Sequence, residues 1–174
     1  MKRIFATFVR ACVYMFMSWL VSSTAGALEW KKYHYPEYNF EVEFSGPVQV
    51  TPRSIAARER IVRSTLYLQD GGSYSYSVLA QLNNEGVEAN LDAVTEDKLE
   101  LYRCKDVNAL PLEFPGGRAK ELTGDQCLDG SYRAHVRYFA KGDWFYVLTY
   151  LIKIDGGDIS SAQRFLRSFK IDEG

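Results

Sequence analysis

The chain is poor in the residues that assemble reaction centres. Of 174 residues only three are cysteine and two are histidine. A zinc site would have to recruit carboxylates or thiols around His34 or His135, so no metal is expected. No strand-to-helix loop carries the glycine spacing that cradles phosphate, and no cofactor is expected. Gly71-Gly72-Ser73-Tyr74-Ser75 is not a nucleophile elbow, because it lies between two strand-like runs rather than at a strand-to-helix turn. A Cys104–His135 dyad requires that Cys127 leave the Cys104 thiol free. An excess of one charge is also missing: 21 Lys and Arg stand against 22 Asp and Glu. That balance disfavours nucleic acid or anionic lipid as the main partner. No apolar run reaches the roughly 20 residues that cross a bilayer.

What is present begins with an address. Lys2, Arg3 and Arg10 precede an apolar run from Ala11 to Val21, which ends in Ser22-Ser23-Thr24-Ala25-Gly26-Ala27. This is the pattern of a secretory signal peptide over residues 1–27, cleaved after Ala27, and it predicts a periplasmic or secreted protein without stable membrane insertion. The expected mature chain, 28–174, is 147 residues long, enough for one domain. It carries 18 basic and 22 acidic residues, a net charge of −4. Cys104 and Cys127 survive cleavage as an even pair, which in an exported chain reads as a disulfide; the alternative is two separate buried thiols.

Hydrophobic periodicity places the elements. Phe40, Val42 and Phe44 alternate with Glu41 and Glu43, predicting a half-buried strand closed by Ser45-Gly46-Pro47. Ile61 to Leu68 and Tyr74 to Ala80 flank Asp70-Gly71-Gly72 as a hairpin. Asn90 can cap a helix that buries Leu91, Val94, Leu101 and Tyr102. Leu110 to Phe114 and Arg118 to Leu122 read as extended pieces around Pro115-Gly116-Gly117, with the Cys127 segment in a loop. Ser131 to Ala140 and Asp143 to Ile154 predict a tight hairpin at Lys141-Gly142. Its second strand is apolar on both faces and so demands cover on both sides. After Asp155-Gly156-Gly157-Asp158, Ser160 and Gln163 stand in capping-box spacing, and Ala162, Phe165, Leu166 and Phe169 form the apolar stripe of a second helix.

Three stretches carry a family resemblance: Trp30-Lys31-Lys32-Tyr33 with Pro36 to Phe44, the Ser73 to Val78 strand, and Arg164 to Lys170. They resemble small exported proteins of the PsbP-like group. That group is named for an extrinsic subunit of the oxygen-evolving photosystem, and its fold is shared with a Ran-binding import factor and bacterial envelope proteins. The resemblance implies an α+β fold, an antiparallel β-sheet flanked by helices on both faces as an α/β/α sandwich, working as a non-catalytic binding or assembly subunit. Its motifs are structural, so it transfers no site residues.

Two surfaces are candidates for binding. Arg133, His135 and Arg137 alternate on one strand face, where guanidinium forks suit an anion; the competing reading is a cross-strand ion-pair ladder, with Glu41 and Glu43 as possible partners. Trp30, Tyr33, Tyr35 and Tyr38 form an aromatic group around Pro36 that suits a protein interface or sugar stacking, or else packs into the core. Glu41 and Glu43 point out together without the pocket that acid–base chemistry needs. The clusters Asp125 to Asp129 and Asp155 to Asp158 are better suited to turns than to calcium. The expectation is an exported binding or accessory protein with a protein partner in the cell envelope and no enzymatic activity. The alternatives are a small-substrate hydrolase or other enzyme with an unrecognised site, and a metal- or small-ligand-binding protein.

Overall fold

In the computed structural model, residues 29–57, 60–82 and 102–172 are described. The expected signal peptide and the helix expected after Asn90 fall outside them. Alternation of apolar and polar residues becomes β1 (Lys31–Tyr35), β2 (Phe40–Phe44), β3 (Gln49–Ala57), β4 (Arg60–Asp70), β5 (Tyr74–Leu82), β6 (Lys105–Leu112), β7 (Arg118–Cys127), β8 (Tyr132–Lys141), β9 (Trp144–Lys153) and β10 (Lys170–Ile171). One α-helix among the described residues, α1 (Ile159–Ser168), and a 3-10 turn at Pro36–Tyr38 complete the set. The Cys127 segment, expected as loop, is the end of β7.

Every strand pairing among the described residues is antiparallel, in two sheets. The large one has seven strands in the order β3-β4-β5-β9-β8-β7-β6, and the small one is β1-β2-β10. The β8–β9 hairpin turns where Lys141 pairs with Trp144. Gly142 has a φ of 57° there, the positive angle that the first central residue of a type II′ turn requires. Both outer strands of the large sheet carry a proline, Pro52 in β3 and Pro111 in β6. Proline cannot donate to a ladder, so each blunts an edge against pairing with another chain.

Strand β9 is central and buried on both faces, with Phe145, Tyr146, Val147, Leu148, Thr149 and Tyr150 all withdrawn from solvent. The cover differs from the expected helices on both faces. On the Tyr146, Leu148, Tyr150 and Ile152 face it is the small sheet with α1 beside it, so the fold is two antiparallel sheets rather than an α/β/α sandwich. The physical reason is that two-sided burial of a strand demands a layer on each side but does not say what the layer is made of. Here β2 supplies it, because its alternate residues Phe40, Val42 and Phe44 are fully buried against the large sheet. On the opposite face a second cluster holds Leu122, Val136, Tyr138, Phe145 and Val147, with Tyr102 packed against it.

The layer next to β2 changes from strand to helix along its length. Strand β10 pairs with Phe40 and Glu41, while Glu43 instead donates its backbone N–H to Ser168 Oγ of α1 at 2.9 Å. Phe165 carries the helix onto the core, its ring 5.1 Å from Tyr76 and 5.4 Å from Phe44. The helix is capped two residues earlier than the capping-box spacing suggests. Asp158 is the cap: its carboxylate accepts from the Ser160 N–H at 2.9 Å and from the hydroxyls of Ser160 and Ser161. Those bonds hold the Asp158 pKa down, to about 2. Asp158→Ala should therefore cost about 1 kcal/mol in urea unfolding. An unchanged midpoint would show that packing of Phe165 alone sets the start of α1.

Candidate functional site

The polar residues that the core cannot explain gather on β7 and β8. Strand alternation puts Arg133, His135 and Arg137 on the same face as Tyr150 and Leu148 of β9, and the β7–β8 register brings Glu121 directly opposite Arg137. Arg137 Nε lies 2.5 Å from Glu121 Oε2, and His135 Nε2 lies 2.8 Å from Glu121 Oε1. The approach to His135 Nε2 does not meet hydrogen-bond alignment, so the contact is an ion pair only when the ring is protonated. His135 Nδ1 faces the Tyr150 hydroxyl at 3.3 Å. Arg133 Nε meets Asp125 Oδ1 at 2.5 Å, across the irregularity that ends β7. Glu121 and His135 side chains are only 14% and 12% exposed, so the centre of the ladder is beneath the surface, while the Arg133–Asp125 end is open to solvent.

One member reaches the helical layer. Arg137 Nη1 donates to the Leu166 carbonyl at 3.4 Å, in the last turn of α1, where the helix dipole favours a cation. The cluster therefore couples β7, β8 and α1. Its charges cancel when His135 is neutral: two guanidiniums face two carboxylates. Burial is the main influence on His135 and lowers its pKa; the Arg137 charge adds to this, while Glu121 opposes it.

A histidine with a lowered folded pKa stabilises the fold above its unfolded pKa, near 6.5, and that contribution is lost as pH falls through the folded value. Stability should accordingly decline between pH 7 and pH 5. His135→Gln should flatten the decline, as read from urea midpoints across that range. Parallel pH profiles for the two proteins would remove His135 as the cause.

Glu41 and Glu43, considered as partners of this stripe, lie elsewhere. Glu41 takes Lys32 at 3.0 Å and Lys170 at 3.7 Å, and Glu43 takes Arg164 at 2.8 Å. The actual partners, Glu121 and Asp125, were hidden because which strand lies beside β8, and in what register, is not a local property; for Asp125 the irregularity between Gly124 and Cys127 adds to this. The only signal in the sequence was the alternation of Ala119, Glu121 and Thr123 in a segment read as extended.

The aromatic group is placed around the small sheet. Tyr35 sits 4.0 Å from Tyr67 and 4.9 Å from Phe40, ring to ring; Tyr33 meets Phe44 edge-on; Tyr38 meets Trp144; Trp30 stacks on Tyr76 beneath the Arg164 guanidinium. All four are half-buried against the main core. The Tyr38 hydroxyl shares a 2.6 Å hydrogen bond with Thr65, and burial pushes the Tyr35 pKa up to about 12. His34 is exposed, 3.7 Å from Asp172.

Cys104 and Cys127 are disulfide-bonded, so the Cys104 thiol is not available to His135. Asp129 and Asp70 accept from the N–H two residues on, closing turns, and no group of three His, Cys, Asp or Glu among the described residues could hold a metal. An open groove of about 880 Å³ lies along the β6–β7 hairpin, between Leu110, Phe114 and Lys120. Among the described residues no helix is long and apolar enough to cross a membrane.

Two antiparallel sheets with a C-terminal helix on the small-sheet side define a PsbP-like fold. The chain is similar in structure to cyanobacterial PsbP (CyanoP) from Synechocystis sp. PCC 6803, with a TM-score of 0.53, 11% identity, and coverage of 88% of this chain and 99% of that one. No family model matches the sequence, and no curated protein matches it.

Proposed function

We propose that the protein is an exported, non-catalytic accessory subunit that acts by binding a protein partner in the cell envelope. The observation that carries this reading is the likeness to CyanoP over nearly the whole of both chains. Fold alone does not assign a role, but the chemistry of the candidate site agrees with it. The charged groups of the β7–β8 ladder are committed to one another and to α1, and the Cys104 thiol is spent on the disulfide. A disulfide and a leader of secretory type both fit an oxidising compartment outside the cytoplasm.

The test is affinity capture with the tagged protein from native envelope extract after mild cross-linking. A protein partner recovered in near-stoichiometric amount is the expected result. Recovery of nothing above an untagged control, together with turnover of any member of a panel of ester, phosphoester and glycoside substrates, would replace the accessory reading with an enzymatic one.

A further inference from the structure

Arg53 of β3 and Arg63 of β4 are side chains that neither the core nor the ladder uses. Strand β4 starts at Arg60, but its pairing with β5 starts only at Arg63. Within residues 49–65 the sequence has four arginines, Arg53, Arg58, Arg60 and Arg63, against one glutamate, Glu59, while the whole chain is net −1. The positive charge is thus concentrated in one segment of a chain that is otherwise acidic.

Two of these arginines are described with their side chains. Arg53 and Arg63 are exposed, and neither has a carboxylate within ion-pair distance among the described residues. By contrast, Arg133, Arg137 and Arg164 each hold a carboxylate of this chain. The register sets Arg53 opposite Ser64 and Arg63 opposite Ser54. Side chains of adjacent positions alternate across a strand, so the two guanidiniums leave the β3–β4 pair from opposite faces.

From this charge segregation we propose that the β3–β4 edge of the large sheet, through Arg53 and Arg63, is a docking site for an acidic segment of a protein partner. The inference rests on the accessory reading above and specifies the chemistry of the partner. Guanidinium forks pair with carboxylates in planar, bidentate geometry, which makes an Asp- or Glu-rich segment a fitting occupant. An anionic membrane fits less well for two reasons. A flat surface meets only one face of the β3–β4 pair, and a broad negative surface repels the acidic remainder of the chain.

The probe is poly-L-glutamate, titrated against the protein at low ionic strength, with vesicles of phosphatidylcholine containing phosphatidylglycerol run in parallel. Arg53→Glu/Arg63→Glu should weaken poly-glutamate binding at least tenfold. A charge-matched control, Lys153→Glu/Arg167→Glu, should leave it within twofold, and Arg53→Lys/Arg63→Lys should retain part of it. Thermal unfolding checks that each variant folds, and Arg53→Gln/Arg63→Gln replaces the reversal if it does not. Equal losses in the reversal and the control would overturn the proposal, since net charge alone would then explain binding. Binding to the vesicles but not to poly-glutamate would overturn it in favour of a membrane surface. Either failure leaves the accessory reading intact, because the envelope capture does not depend on which surface makes the contact.

Discussion

Phe40→Ala should lower the stability of the protein by about 3 to 5 kcal/mol, the range for removing a buried aromatic ring from a packed core. Phe40 is fully buried, and four rings surround it: Tyr35 at 4.9 Å, Tyr67 at 5.3 Å, Phe169 at 5.5 Å and Tyr146 at 5.8 Å between centroids. Those neighbours come from both sheets and from the residue that follows α1. None of them can collapse into the space without breaking a contact of its own. Tyr146 is tied through its hydroxyl to the Tyr38 carbonyl at 2.8 Å, and the Tyr67 hydroxyl donates to Glu37 at 3.2 Å. The cost should therefore lie toward the cavity-retaining end of the range, with a melting temperature lower by about 10 °C. Urea and thermal unfolding give the number. A loss under about 1 kcal/mol would mean that the small sheet is not packed on the large one through β2, and the two-sheet architecture would have to be abandoned.

Removing the disulfide should produce the second large effect. The Cys104–Cys127 bridge closes a loop between residues 23 apart in sequence, which corresponds to about 3 kcal/mol in the chain-entropy view of cross-linking. Cys104→Ser/Cys127→Ser should lose about that much in urea unfolding, and the wild-type protein should lose the same on reduction. The bridge anchors the end of β7, where the strand departs from regular register, and ties it to the backbone that leads into β6. Gly124 is part of the arrangement: a Cβ there would come within 2.7 Å of the Cys104 Cβ. Gly124→Ala should accordingly destabilise the oxidised protein too. If reduction leaves the unfolding curve in place, the bond does not constrain the chain in the way described.

Much of the strand order along the chain was legible because period-2 alternation is a local property. The β4–β5 hairpin, the β8–β9 hairpin and α1 all stand where the alternation of Phe, Tyr and Val, the Gly-containing turns and the i, i+3, i+4 stripe put them. Two-sided burial of β9 was legible for the same reason, since both of its alternating sets are apolar. Strand β3 was not, because Thr51, Pro52, Arg53 and Ser54 break the apolar alternation in an edge strand that has little to bury. Likewise the cap of α1 moved from Ser160 to Asp158, a two-residue choice that depends on which oxygen reaches the free N–H groups.

By itself, then, the sequence determined β2, the β4–β5 and β8–β9 hairpins, α1, the pairing of Cys104 with Cys127 as the simplest bond, and the Arg133, His135, Arg137 face. Only the tertiary structure decided that a small sheet covers β9 on one side, that Glu121 and Asp125 rather than Glu41 and Glu43 neutralise that face, and that Arg53 and Arg63 have no carboxylate among the described residues. Alternation tells each residue which face it takes. Which strand lies opposite, and in what register, is settled by contacts between residues far apart in the chain.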